Sequence, residues 1–140
     1  MDRKAWKIVY YDYFSISRGN EYSILYHDSD IINTPKIGKI LCFSTAKHLK
    51  NFMKACGYGI DSNNSYHILH GMAFNIGNPK NVAKYIIDIR RFWEDKKSKK
   101  KISVMTLSAP KGTISCDGFK IERTYSISAF LVLLCQGKVE

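Results

Sequence analysis

At 140 residues and 16.1 kDa the chain has the length of one domain, enough to bury a core without disulfides or metal. With 45% hydrophobic and 24% charged residues it is globular rather than disordered. Its net charge of +10, from 22 Lys and Arg against 12 Asp and Glu, suits a phosphate-bearing, anionic-lipid or acidic-protein partner without fixing a fold.

In chain order, "WKIVYYDYF" (6–14) is rich in aromatic and β-branched residues and predicts a strand. "RGNE" (18–21) predicts a turn into a second strand, "YSILY" (22–26), so the two form a hairpin. A polar loop, "HDSDIINTPK", leads to a third strand, "GKILCF" (38–43). Ser44 is positioned to cap a first helix whose apolar face is Ala46, Leu49, Phe52, Met53 and Cys56, stopped by Gly57 and Gly59.

"SYHILHGMAFNI" (65–76) predicts one strand or two short ones. Asn78 and Pro79 suit the start of a second helix, running from Pro79 to Trp93, with Val82, Tyr85, Ile86, Ile89, Phe92 and Trp93 on one stripe. Lys84 with Asp88 and Arg91 with Asp95 have i,i+4 spacing on its other side. "KISVMTLS" (101–108) predicts a strand. "GTISC-DG-FKIERTY" predicts a hairpin with a type I′ turn at Asp117-Gly118, pairing Cys116 with Phe119 and Ile114 with Ile121. "SISAFLVLLCQG" predicts a short apolar helix over 127–134, stopped by Gly137 and buried in the core or in a homo-oligomer contact, with a strand as the alternative its β-branched content allows. The expected architecture is a single α+β domain, residues 1–140: a mostly antiparallel sheet covered by two amphipathic helices, plus the C-terminal apolar helix.

The charge has two foci. Five lysines occupy the six positions 96–101: Lys96, Lys97, Lys99, Lys100 and Lys101. They read either as a phosphate clamp or as a solvated connection. Between Asp30 and Asp61 there is no acidic residue, and Lys36, Lys39, Lys47, Lys50 and Lys54 fall in that window with His48. Lys47, Lys50 and Lys54 lie within about 60° of one another on a helix, without an acidic partner on it. Gly77, Asn78 and Lys80 would form an anion-attracting start to the second helix.

The stretch "HGMAFNIGNPKNVAKYI" resembles the RNA recognition motif family in Gly71, Ala73 and Phe74, which precede a helix as in that family's aromatic strand. The resemblance covers 38–107 and implies a βαββαβ, ferredoxin-like core and RNA binding. His70, Met72, Asn75 and Cys42 depart from the family's pattern.

Catalysis has little support. The chain lacks G-x-S-x-G, P-loop, HExxH and dinucleotide glycine motifs. His67 and His70 point to opposite faces of a strand and cannot share a metal. His27, Asp28 and Asp30 suit a general base or a cation, as in a small hydrolase, but such clusters are common in loops. No two of Cys42, Cys56, Cys116 and Cys135 lie within ten residues, which excludes a CxxC pair; Cys56 and Cys116 read as inert core thiols. The N-terminus lacks the apolar core of a signal peptide, and "AFLVLLC" from Ala129 is too short to span a bilayer, so no membrane partner and a cytoplasmic setting are expected.

The sequence therefore predicts a non-enzymatic, cofactor-free binder of a phosphate-bearing ligand, nucleic acid ahead of a nucleotide. Lys47, Lys50, Lys54, Lys80 and the 96–101 lysines would supply the charge, and exposed tyrosines would stack bases. The alternative is a small protein-interaction module for an acidic protein surface, such as a viral or phage factor inhibiting a host protein. The AT-rich bias toward Lys, Ile, Asn and Tyr suits such an origin, and Ile87 and residues 129–134 would supply an apolar patch.

Overall fold

The computed structural model describes residues 1–13, 15, 24–26, 31–33 and 38–139. Its elements are β1 (Arg3–Tyr10), β2 (Ile32–Asn33), β3 (Ile40–Phe43), α1 (Ala46–Cys56), β4 (Tyr66–Phe74), β5 (Asn81–Ala83), α2 (Ile89–Lys97), β6 (Thr106–Ser108), β7 (Thr113–Cys116), β8 (Gly118–Tyr125) and α3 (Ile127–Cys135). Six strands form an antiparallel sheet in the order β2-β8-β4-β1-β3-β7, and β5 with β6 forms a second, two-stranded sheet. The fold is α+β, as expected.

The main sheet is apolar on both faces, and strand alternation divides its core in two. Ala5, Val9, Cys42, Leu69, Ile114 and Phe119 fill one face. Trp6, Ile8, Phe43 and Ile68 fill the other, where they meet Ala46, Leu49 and Met53 of α1 and Ile127 and Phe130 of α3. The helices over the sheet are thus α1 and α3; α2 packs against β5 instead.

Helix α1 starts one residue later than expected. Thr45, not Ser44, is the cap: its side chain accepts the His48 amide at 3.1 Å, while the Ser44 amide bonds the Gly112 carbonyl. Gly57 ends the helix at φ 79°, with the Tyr58 amide returning to the Met53 carbonyl. Cys56 is exposed, a correction to its expected place on the buried face. Helix α3 lies where the sequence places it. Ser126 caps it, Ile127 and Phe130 are buried, and Val132 is exposed.

Two expectations fail for the same reason, strand pairing over distance. The Asp117-Gly118 hairpin does not form. β7 pairs with β3, setting Ile40 opposite Cys116, and β8 pairs with β4, setting Ala73 opposite Phe119. Only Asp117 separates β7 from β8, so Thr113–Tyr125 is one long, bent strand joining opposite parts of a curled sheet. Gly118 does not have the positive φ of a type I′ turn; it is glycine in a place where a Cβ would sit 3.1 Å from Ile31 Cγ2.

The helix expected over 79–93 begins at Ile89 and continues to Lys97, so it contains part of the lysine run. Residues 81–83 are strand β5 instead, held to β6 and flanked by bonds from the Ala109 amide to the Lys80 carbonyl and from the Lys84 amide to the Met105 carbonyl. Pro79, Asn81 and Val82 are weak helix formers, and the partner strand outweighs the 3.6-residue period. Of the expected stripe, Phe92 is buried, and Val82, Ile89 and Trp93 are half-buried. Lys84 precedes the helix and lies over the Tyr85 ring, so its spacing to Asp88 is not a helical pair. The 101–108 strand shrinks to Thr106–Ser108.

The neighbours also differ from those implied by the RNA recognition motif. β1 lies between β3 and β4, and β6 belongs to the small sheet. The expected strand over 6–14 ends at Tyr10, but the Ser15 and Tyr26 amides bond the Ile24 and Tyr13 carbonyls at 2.8 and 2.9 Å, joining the two arms of the first expected hairpin. Its turn at 18–21, Lys36, and the cluster of His27, Asp28 and Asp30 lie outside the described residues.

Candidate nucleic-acid interface

The lysines separate into two surfaces. On α1, Lys47, Lys50 and Lys54 are exposed on the side away from Leu49 and Met53. Lys50 and Lys54 edge an apolar hollow with Met53, Tyr58 and Leu131.

The second surface lies between the main sheet's edge and α2. Two adjoining hollows, of about 600 and 380 Å³, share Asn78 and Lys96. Lys39, Lys97, Trp93 and Asp117 line the first; Lys80 and Phe92 line the second. Four lysines from three separated stretches therefore meet in one groove. Asp117 is the one carboxylate among its described lining residues and is already engaged. It accepts from the Lys39 ammonium and the Asn75 amide, and these contacts hold its carboxyl below the usual range.

Trp93 gives the groove an aromatic wall. It is half-buried, its ring meets Phe92 edge-on at 5.1 Å, and Lys96 Nζ lies 5.5 Å from its centroid. Phe92 anchors the helix from below at 2% exposure.

The lysine run is divided between the end of α2 and the connection that follows it. Lys96 and Lys97 belong to the last turn of α2, and Lys99 turns the chain at φ 55°. Lys99, Lys100 and Lys101 are exposed and line neither hollow. Buried Asp95 ties the connection down: its Oδ2 accepts from the Ser103 amide at 2.9 Å and hydroxyl at 2.7 Å, and Arg91 pairs with its other oxygen at 3.3 Å. The Ser103 bonds hold its carboxyl below the usual range. The Lys100 amide also returns to the Asp95 carbonyl at 2.9 Å, which fixes where the lysines leave the helix.

Sequence reasoning placed Lys80, Lys96 and Lys97 among the candidates but missed Lys39 as their neighbour and treated Trp93 as core. The bend at Asp117, which brings Lys39 to the groove, has no local signal. The anion site expected at Gly77–Lys80 is corrected: no helix starts there, and Gly77 instead exchanges both backbone hydrogen bonds with Ser115 at 2.9 Å.

No group of three metal-ligating side chains occurs among the described residues. Cys42 and Cys116 are buried, and the hydrogen bond between them, with burial, pushes the Cys42 thiol up, away from reactive thiolate. Lys7 faces the same interior, donates to the Leu41 carbonyl at 2.7 Å, and is lowered by burial. Among the described residues no helix is long and apolar enough to cross a membrane.

No protein-family model matches the chain, and neither a curated protein nor a solved structure is significantly similar to it.

Proposed function

We propose that this protein binds single-stranded nucleic acid, without catalysis, along the groove between α2 and the sheet edge. The observation that carries the reading is the convergence of Lys39, Lys80, Lys96 and Lys97 around Trp93, with Asp117 already paired. Lysines in such a groove neutralise backbone phosphates without reading sequence. A tryptophan face accepts any base, which fits a single strand whose bases are free to stack. The test is titration of fluorescent single-stranded DNA and RNA against wild type and Trp93→Leu, which keeps apolar bulk but removes the ring. Loss of base stacking weakens binding by roughly 1–3 kcal/mol and leaves the salt dependence unchanged. Equal affinities for both proteins contradict the stacking role.

A second reading rests on a different surface. Tyr85, Ile87, Met105 and Leu107 are all exposed large apolar residues on the β5–β6 flank, with Ile87 at 88% exposure. Such a patch suits a protein partner, with the lysines favouring an acidic one. Absence of binding to DNA and RNA at low salt, with Ile87→Glu and Met105→Glu abolishing association with an acidic protein, would favour it.

A further inference from the structure

A second basic site lies on the helix-covered face of the main sheet, in a cavity that shares no lining residue with the groove. The cavity, of about 670 Å³, is lined by Arg3, Lys4, Arg123 and Lys138 and, among the described residues, by no carboxylate. Lys4 pairs with Glu122 at its edge, and Arg3 Nη2 donates to the Ser44 carbonyl at 3.2 Å. Arg123 and Lys138 have no ion-pair partner among the described residues. The N-terminus of α1 opens on the same cavity through Ser44 and Thr45, and its first turn carries no acidic residue, so the helix adds its positive end to the cations.

A bulge builds the site. Ile121 pairs with Gly71 but Arg123 pairs with His70, so β8 carries Glu122 as an extra residue. Side-chain alternation therefore reverses. Phe119 and Ile121 face the interior core, whereas Tyr125 joins the Trp6 side and Arg123 reaches the cavity beside His70. Gly71 permits this close pairing, since a Cβ there would overlap the Lys120 carbonyl. His70 is half-buried and stacked on Trp6 at 3.9 Å. Burial and the charge of Lys4 and Arg123 lower its pKa, against an opposing effect of Glu122. Trp6 is 2% exposed, so its ring is not offered to a base. The cavity selects for charge.

We infer that this cavity is a binding site for a compact oligophosphate, the di- or triphosphate group of a small molecule, held by Arg3, Lys4, Arg123, Lys138 and the α1 N-terminus. The inference is independent of the groove. The test uses the full chain, with inorganic tripolyphosphate and a nucleoside triphosphate as probes, following the His70 imidazole signals by NMR through a pH titration. Both probes should bind with similar affinity and raise the His70 pKa, because the anion offsets the charge of Lys4 and Arg123. Arg123→Gln with Lys138→Gln should weaken binding at least about tenfold, the scale of losing one charge-assisted hydrogen bond, with an unchanged melting temperature. Arg123→Lys should restore most of the affinity lost in Arg123→Gln. A clear preference for the nucleotide would assign the site to nucleotides, whereas equal binding would assign it to the phosphate chain alone. An unmoved His70 pKa under saturating tripolyphosphate, or unchanged affinity in the folded double variant, would overturn the proposal.

Discussion

Helix α1 begins on a Thr45 hydroxyl that accepts the His48 amide and ends on Gly57 in the left-handed region, whereas α2 begins at Asp88 without a side-chain cap and ends on Ser98. Both carry exposed lysines. On α1, Lys50 and Lys54 edge an apolar hollow beside Met53 and Tyr58, while Lys96 and Lys97 of α2 line a groove together with Lys39 and Lys80. A run of cations becomes a site through what the fold places opposite it. A lysine face on one helix engages a phosphate from one side; a groove engages it from two and excludes part of the water, which strengthens each contact.

The largest effect expected is on the anchoring of α2. Phe92→Ala should cost about 3–5 kcal/mol in chemical denaturation and remove groove binding, whereas exposed Ile87→Ala should change stability by less than about 0.5 kcal/mol. Similar losses for both would mean that α2 is not seated through Phe92. A smaller effect separates the helix starts. Thr45→Ala should cost about 1 kcal/mol, while Asp88→Ala, which loses no cap bond, should cost only a few tenths; equal thermal shifts would contradict the contrast.

The most local effect concerns Asp95. Its lowered pKa means that its contribution is fully present above the usual carboxylate pKa and is lost as the pH falls through the lowered folded value. Ser103 amide exchange, corrected for its intrinsic pH dependence, should keep constant protection above about pH 4 and lose it on further acidification. Asp95→Ala should remove that protection at neutral pH. Full protection in the variant would show that the 98–103 connection is held by something else.

The helix-covered half of the fold was legible in the sequence because its signals are local. The first helix's apolar spacing, the Gly57 stop and the helical spacing of Ile127, Phe130, Leu131 and Leu134 lie within a few residues of the structure they specify. β4 was legible because Ile68 and Leu69 are flanked by strand formers. The 79–108 region was not, since Val82, Ile86 and Ile89 also fit a helical period and only the pairing of β5 with β6 decides against it. The Asp117-Gly118 dipeptide misled in the same way: its chemistry fits a tight turn, but Phe119 and Ile121 pair with β4 while Ile114 and Cys116 pair with β3. Of the groove, three lysines were recognised as candidates, but their meeting with Lys39 and Trp93 depends on the bend at Asp117, which no short window contains. Arg123 was hidden by the bulge, because simple alternation places it on the wrong face.

Under the proposed function the groove, rather than the α1 face, holds the phosphates. The direct measurement is the log–log salt dependence of single-strand binding for wild type, Lys80→Ala/Lys96→Ala and Lys50→Ala/Lys54→Ala. Each phosphate contact on a single strand contributes about 0.7 to the slope. The groove pair should therefore flatten the slope by about 1.4, while the α1 pair changes it by much less. The same flattening from the α1 pair, with the groove pair behaving as wild type, would put the phosphates on α1 and not in the groove.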